Sequence, residues 1–226
     1  MKQADYLAIM SYVDISAIDC AHDREHVLRV FCNAMEIAST EKDVDMDILA
    51  AACLLHDIGR PEEAADPTVC HAQIGAERAY GLLLQLGWPQ EKAQAVRTAI
   101  AAHRFRSTCP PESLEAKILF DADKLEVTGV LGIARTLQYG GQTGEPLYTL
   151  GPGDLPGDGS PGEPPSFLRE YQYKLRRLYS QFYTAQGRAM ALERQAAAQR
   201  FYDDLLREIR RSRGDIAALA APLLTE

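Results

Sequence analysis

The sequence has no paired-cysteine motif: its five cysteines (Cys20, Cys32, Cys53, Cys70, Cys109) are odd in number and scattered. This excludes a disulfide framework and a zinc knuckle, and fits reduced, buried thiols in a cytoplasmic protein. Long apolar runs are missing too. The longest, residues 48–55, is soon followed by Asp57 and Arg60 and falls well short of the roughly 20 residues that span a bilayer. Asp5 and Asp14 interrupt the N-terminus before an export signal can develop, so neither a signal nor a membrane span is expected. Positive charge is in deficit, with 24 Lys and Arg against 32 Asp and Glu, a net charge of -8. Broad binding to nucleic acid or to anionic membranes is thereby excluded, although a metal ion with a few local basic groups can still receive a small anion. Period-two alternation of strand length, a fixed repeat and a sustained heptad are all lacking, which leaves an all-α reading.

What is present suits one buried domain: 226 residues, 46% hydrophobic and 25% charged. Asp23 or His22 opens a helix through EHVLRVFCNAMEIA, where Val27, Val30, Phe31, Ala34 and Ile37 recur at threes and fours. Asp45 or Asp47 caps a second helix, which runs through ILAAACLLHDI and stops at Gly59 and Pro61, setting His56 and Asp57 in its last turn. Further helices are predicted over 68–86, 90–102, 111–125 and 131–138. Residues 140–165 contain fourteen glycines and prolines and predict a long irregular loop, either a lid or a surface excursion. Beyond it, two long helices are expected with a break at Gly187. Their aromatic residues (Tyr171, Tyr173, Tyr179, Phe182, Tyr183, Phe201, Tyr202) are read as core packing, with a homodimer face as the alternative.

Histidine is scarce, with five in the chain: His22, His26, His56, His71 and His103. His56 and Asp57 are adjacent, about 100° apart in helical projection, so an imidazole and a carboxylate can reach one cation. A histidine one helix upstream (His26) and a carboxylate well downstream (Asp121) complete the order H…HD…D. At these residues the sequence resembles the HD-domain phosphohydrolase superfamily, all-α metal-dependent enzymes named for the doublet. The segments HDREHVLRV, LLHDIGRP, CHAQIGAE, AIAAHR and ILFDADKLE carry the resemblance over about 20–140. GIARTLQYGGQTGEPLY and the Tyr-rich C-terminal helices are similar to the small single-domain bacterial HD proteins, some of which hydrolyse nucleotides.

The resemblance implies a single domain over 1–226: an HD-domain helical bundle over about 20–140, the Gly/Pro-rich loop insertion at 140–165 and C-terminal helices over 166–226. It also implies His26, His56, Asp57 and Asp121 as metal ligands, since the D-x-D-K-L pattern places the ligand at Asp121 rather than Asp123. Such a nitrogen and oxygen donor set suits one divalent transition metal, Mn²⁺ first, with Fe²⁺, Co²⁺, Ni²⁺, Zn²⁺ or Mg²⁺ as alternatives. Arg29 lies three residues after His26 and Lys124 three after Asp121, so both are expected to clamp phosphate. Arg60 is read as a further phosphate contact or as a helix-end cation. Asp57, His103 and Lys124 form the expected catalytic set, with His103 approaching water or substrate.

Some superfamily members hold a second metal on histidines in the contexts of His71 and His103. A mononuclear site is expected here, because only one downstream carboxylate segment is evident. His22 is read as a cap or an orienting group. Where nucleotidase and alarmone-hydrolase branches carry an acid three or four positions after the doublet, Arg60 and Pro61 stand here, with Glu62 and Glu63 following, so the general acid is open. The expected function is a cytoplasmic metal-dependent phosphohydrolase acting on a nucleotide or similar small phosphate compound, without membrane or specific nucleic-acid partners. The alternative is a metal-binding nucleotide-sensing module without turnover.

Overall fold

The computed structural model describes residues 1–16, 23–104, 109–213 and 219–223; His22 and its expected capping role lie outside them. Among the described residues the architecture is all-α, and the sole extended pairing is an isolated antiparallel bridge between Leu150 and Pro156. The helices are α1 (Gln3–Ser16), α2 (Arg24–Ala38), α3 (Met46–Leu55), α4 (Arg60–Ala65), α5 (His71–Gln85), α6 (Gln90–Ala102), α7 (Leu114–Leu125), α8 (Gly129–Thr143), α9 (Phe167–Tyr173) and α10 (Ala185–Arg213). No helix among the described residues is long and apolar enough to cross a membrane.

Two compact units can be distinguished: residues 1–126 with 181–191, and residues 127–180 with 192–226. In the first, α5 packs on α6, α2 on α7, and α3 against both α6 and α2. Ile9, Val30, Leu49, Leu54, Leu83 and Ile100 are fully buried there, each such side chain contributing about 1.5–3 kcal/mol of transfer free energy. Local chemistry starts α2 and α3 at the expected caps, Asp23 and Asp45, whereas α7 begins at Leu114, three residues later than expected, because Ser113 caps it. The Asp23 carboxylate accepts from the His26 amide, Asp45 from Asp47 and Ile48, and Ser113 from Ala116, each satisfying orphan donors of a first turn.

Three further expectations in this unit change. α3 ends at Leu55, so His56 is its C-cap and Asp57 lies in the turn beyond. Pro61 begins a helix rather than ending one: it occupies the first turn of α4, where its missing N–H costs nothing. The short turn between α3 and α4 exists because Gly59 passes directly over α5. A Cβ at Gly59 would overlap the His71 carbonyl oxygen and lie 2.7 Å from the Gly75 amide nitrogen. Gly187, expected to break a helix, instead sits inside the first turn of α10, where a Cβ would come within 2.6 Å of Asp121 Oδ2. Its lack of a side chain admits the carboxylate.

In the second unit α8 runs through Gly140 and Gly141 to Thr143, so the irregular segment begins at Gly144, whose left-handed backbone (φ 75°) closes the helix. That segment is tied to its own unit. The Glu163 carboxylate accepts from the Asp158 and Gly159 amides, and the Phe167 and Leu168 amides donate to the carbonyls of Pro146 and Leu147. Tyr171 stacks on Tyr202 at 4.5 Å, and Phe167 meets Phe201 edge to face. The core reading of the aromatic residues therefore holds for Tyr171, Tyr179 and Tyr202, whereas Tyr173 is 57% exposed.

Candidate metal centre

Four helix ends of the first unit bring four imidazoles together. His26 lies in the first turn of α2 and His71 opens α5; His56 caps the C-terminus of α3 and His103 that of α6. All four are buried. Their rings form a row, His26 to His56 to His103 to His71, with centroids 5.3, 5.2 and 5.2 Å apart.

Each Nδ1 is engaged by an acceptor. His56 Nδ1 donates to the Cys53 carbonyl at 2.8 Å and His103 Nδ1 to the Ile100 carbonyl at 2.6 Å. His26 Nδ1 is 3.3 Å from Glu126 Oε2, and His71 Nδ1 is 2.8 Å from Glu63 Oε2. A neutral imidazole whose Nδ1 carries the proton offers its lone pair at Nε2. The Nε2 atoms face each other in two pairs, His26 with His56 and His71 with His103, both at 3.3 Å. Two nitrogens each about 2.1 Å from one ion lie roughly 3.0–3.4 Å apart at octahedral or tetrahedral angles, so both pairs have the spacing of adjacent ligands.

Asp57 lies between the pairs. Its Oδ2 is 3.4 Å from Nε2 of both His26 and His56; its Oδ1 is 3.6 Å from Nε2 of His71 and 3.7 Å from that of His103. Oδ2 is buried and accepts no hydrogen bond. An orphaned carboxylate oxygen facing two imidazole lone pairs fits a cation, which would satisfy all three at once. Among the described residues, two groups meet the geometric requirement for an ion: His26, His56 and Asp123, and Asp57, His71 and His103.

Here the structure corrects the carboxylate choice on α7. Asp121 is fully buried and points elsewhere: Oδ1 accepts from the Tyr183 amide at 2.9 Å, and Oδ2 from the Thr184 amide and hydroxyl, both at 2.7 Å. It satisfies donors at the start of α10. Asp123 stands two residues on, about 200° around the helix, and its Oδ1 is 3.6 Å from His26 Nε2. The premise for a mononuclear site also changes, because the carboxylate thought to be missing beside His71 and His103 is Asp57 itself.

The cations expected to hold phosphate are all present and all paired. Arg29 Nε donates to Glu126 Oε2 at 2.9 Å, Lys124 Nζ to Asp123 Oδ2 at 2.7 Å, and Arg60 Nε to Asp57 Oδ1 at 2.9 Å. Arg60 also reaches Glu63 Oε2 at 3.0 Å, and Arg104 reaches Glu63 Oε1 at 3.2 Å. Sequence reasoning did not assign Arg104 or Glu126. The spacing Asp123–Glu126 (i, i+3) was the available signal, masked by the choice of Asp121.

Burial opposes charge throughout, and the partners decide the outcome. Burial pushes His71 down to about 2, with Arg60 adding to the effect, and burial also lowers His103, so both are neutral. For His26 the Asp57 and Glu126 carboxylates outweigh burial and raise its pKa. Asp57 and Asp123 stay well below the usual carboxylate range despite burial: the Arg60 guanidinium holds the first and the Lys124 ammonium the second. The centre thus combines ionised carboxylates with two neutral imidazoles, His71 and His103.

The chain resembles known proteins in both sequence and fold. The HD domain family model matches residues 24–128. YpgQ of Bacillus subtilis strain 168 is 29% identical over 92% of this chain and 95% of its own. Its crystal structure in complex with ADP superposes with a TM-score of 0.69 at 28% identity, covering 92% of this chain and 98% of that one. A predicted HD superfamily hydrolase from an uncultured Thermotogales bacterium is 33% identical, with a TM-score of 0.62 over 91% and 92% of the two chains.

Proposed function

The chain belongs to the HD-domain superfamily, and from that premise we propose that it is a metal-dependent phosphohydrolase whose substrate is a nucleotide or a similar small phosphorylated compound. The observation that carries this reading is the Asp57 carboxylate, which turns one oxygen toward each pair of imidazole nitrogens. The nucleotide part draws support from YpgQ, which was crystallised with ADP.

In this reading His26, His56, Asp123 and Asp57 would hold one divalent transition metal, Mn²⁺ first. Asp57 with His71 and His103 would form a second, weaker position, because Arg60 already donates to the Asp57 oxygen that faces them. A bound ion draws charge from a phosphoryl oxygen and lowers the pKa of a nearby water. The protein's own groups do the rest. Arg29, Arg60, Arg104 and Lys124 offer donors to the phosphate oxygens and neutralise charge as it develops on the leaving group. When only the first position is filled, neutral His103 presents Nε2 as an acceptor that orients the attacking water.

The test is to incubate the purified chain with Mn²⁺, Co²⁺, Ni²⁺ or Mg²⁺ and a panel of nucleoside mono-, di- and triphosphates, and to quantify the products. Turnover by the wild type that is lost in Asp57→Ala is expected. Tight nucleotide binding without turnover under any ion would replace this reading with the sensing module.

A further inference from the structure

The four imidazoles obtain their Nδ1 acceptors in two different ways, and helix polarity explains the difference. A helix C-terminus leaves its last carbonyls without amide partners, so an imidazole at a C-cap finds an acceptor three residues back on its own chain. His56 and His103 do this, through Cys53 and Ile100. A helix N-terminus exposes amide donors, so an imidazole in a first turn has no such carbonyl to use. His26 and His71 stand in first turns, and each is met instead by a side-chain carboxylate from a distant segment, Glu126 and Glu63.

We propose that Glu126 and Glu63 are positioning residues which supply the Nδ1 acceptors that the N-terminal ends of α2 and α5 cannot, and so fix His26 and His71 with their Nε2 lone pairs turned into the centre. Glu126 lies 3.3 Å from His26 Nδ1 and is 1% exposed; Glu63 lies 2.8 Å from His71 Nδ1. Arginines hold the carboxylates in turn. Arg29 Nε donates to Glu126 Oε2, while Arg60 and Arg104 donate to the two oxygens of Glu63. With both oxygens committed, Glu63 is a fixed acceptor rather than the general acid. The consequence for ion binding rests on the metal-centre reading; the tautomer assignment does not.

The experiment uses the full chain labelled with ¹⁵N-histidine, stripped of metal and held at alkaline pH. Two-bond proton–nitrogen correlation shows which ring nitrogen carries the proton. In the wild type, His26, His56, His71 and His103 should all carry it on Nδ1. Glu126→Ala should move His26 toward the Nε2–H form, and Glu63→Ala should do the same for His71, with His56 and His103 unchanged. Mn²⁺ titration should show about 10–100-fold weaker binding at the affected position. The Gln variants, whose amide oxygen still accepts from Nδ1, should restore the tautomer and most of the affinity. Nε2–H on His26 or His71 in the wild type overturns the proposal without any variant, so a failure of the Ala variants to fold does not protect it. Unchanged tautomers and affinity in both Ala variants overturn it as well. A wild type that keeps all four protons on Nδ1 but binds no Mn²⁺ refutes the metal centre and leaves the positioning roles supported.

Discussion

Arg60 donates through Nε to the Asp57 oxygen that faces His71 and His103, leaving the oxygen that faces His26 and His56 without a hydrogen bond. One carboxylate is therefore predisposed to favour one ion over the other. Titration of the wild type with Mn²⁺ should show one tight and one weaker event. Arg60→Gln removes the competing charge and should tighten the second event by tenfold or more, on the order of 1.4 kcal/mol. Identical second-site affinity in the two proteins would show that the guanidinium does not gate that position.

Asp121 and Asp123 should separate by phenotype. Asp123→Asn should lose metal, as measured by elemental analysis, with little change in thermal midpoint. Asp121→Asn should keep its metal and lose stability, because it weakens charge-assisted hydrogen bonds from Tyr183 and Thr184 worth about 1.5–3 kcal/mol each. The opposite pattern would return the ligand role to Asp121.

Lys124 pairs with Asp123, so its removal should have opposite effects on cation and anion. Lys124→Ala should bind Mn²⁺ at least as tightly as the wild type while lowering kcat/KM for the substrate. Arg29→Ala should lower kcat/KM in the same assay. Wild-type kinetics in both variants would restrict these residues to supporting the carboxylates.

Gly59→Ala should cost about 1–3 kcal/mol or more in urea unfolding, since the added methyl meets the backbone of α5 and not a movable side chain. The strain falls on the turn that carries Asp57, so metal affinity should drop as well. Gly81→Ala is the control: no atom lies within 4 Å of a Cβ there, and neither quantity should fall.

Much of the fold can be read from the sequence where local chemistry decides it. The helix over 90–102 is bounded as predicted, because Pro89 precedes it and His103 closes it. α1 is not read: Ile9, Met10 and Val13 are buried on it, too short a cluster to mark a helical stripe. The His-Asp doublet is legible because adjacency is a property of the chain. The choice between Asp121 and Asp123 is not, because both residues are half or more enclosed on one helix and only their distant neighbours, the α10 amides and His26, tell them apart. Gly187 illustrates the same limit. A glycine selected for close approach to a carboxylate looks, in sequence, like one selected to end a helix.

On the proposed function, the ion pairs around the centre also bear on how fast a substrate arrives. Asp57, Asp123, Glu63 and Glu126 face Arg60, Lys124, Arg104 and Arg29, four negative charges against four positive. Without a divalent cation these cancel, and the remainder of a chain of net charge -8 repels a polyphosphate. Each divalent ion seated there would add two uncompensated positive charges at the proposed landing place of the ligand. Association of the metal-loaded protein with a nucleotide should therefore slow as ionic strength rises, while the metal-free protein shows no such dependence, or the reverse. Loading the centre thus changes both its chemistry and the long-range field that the substrate encounters.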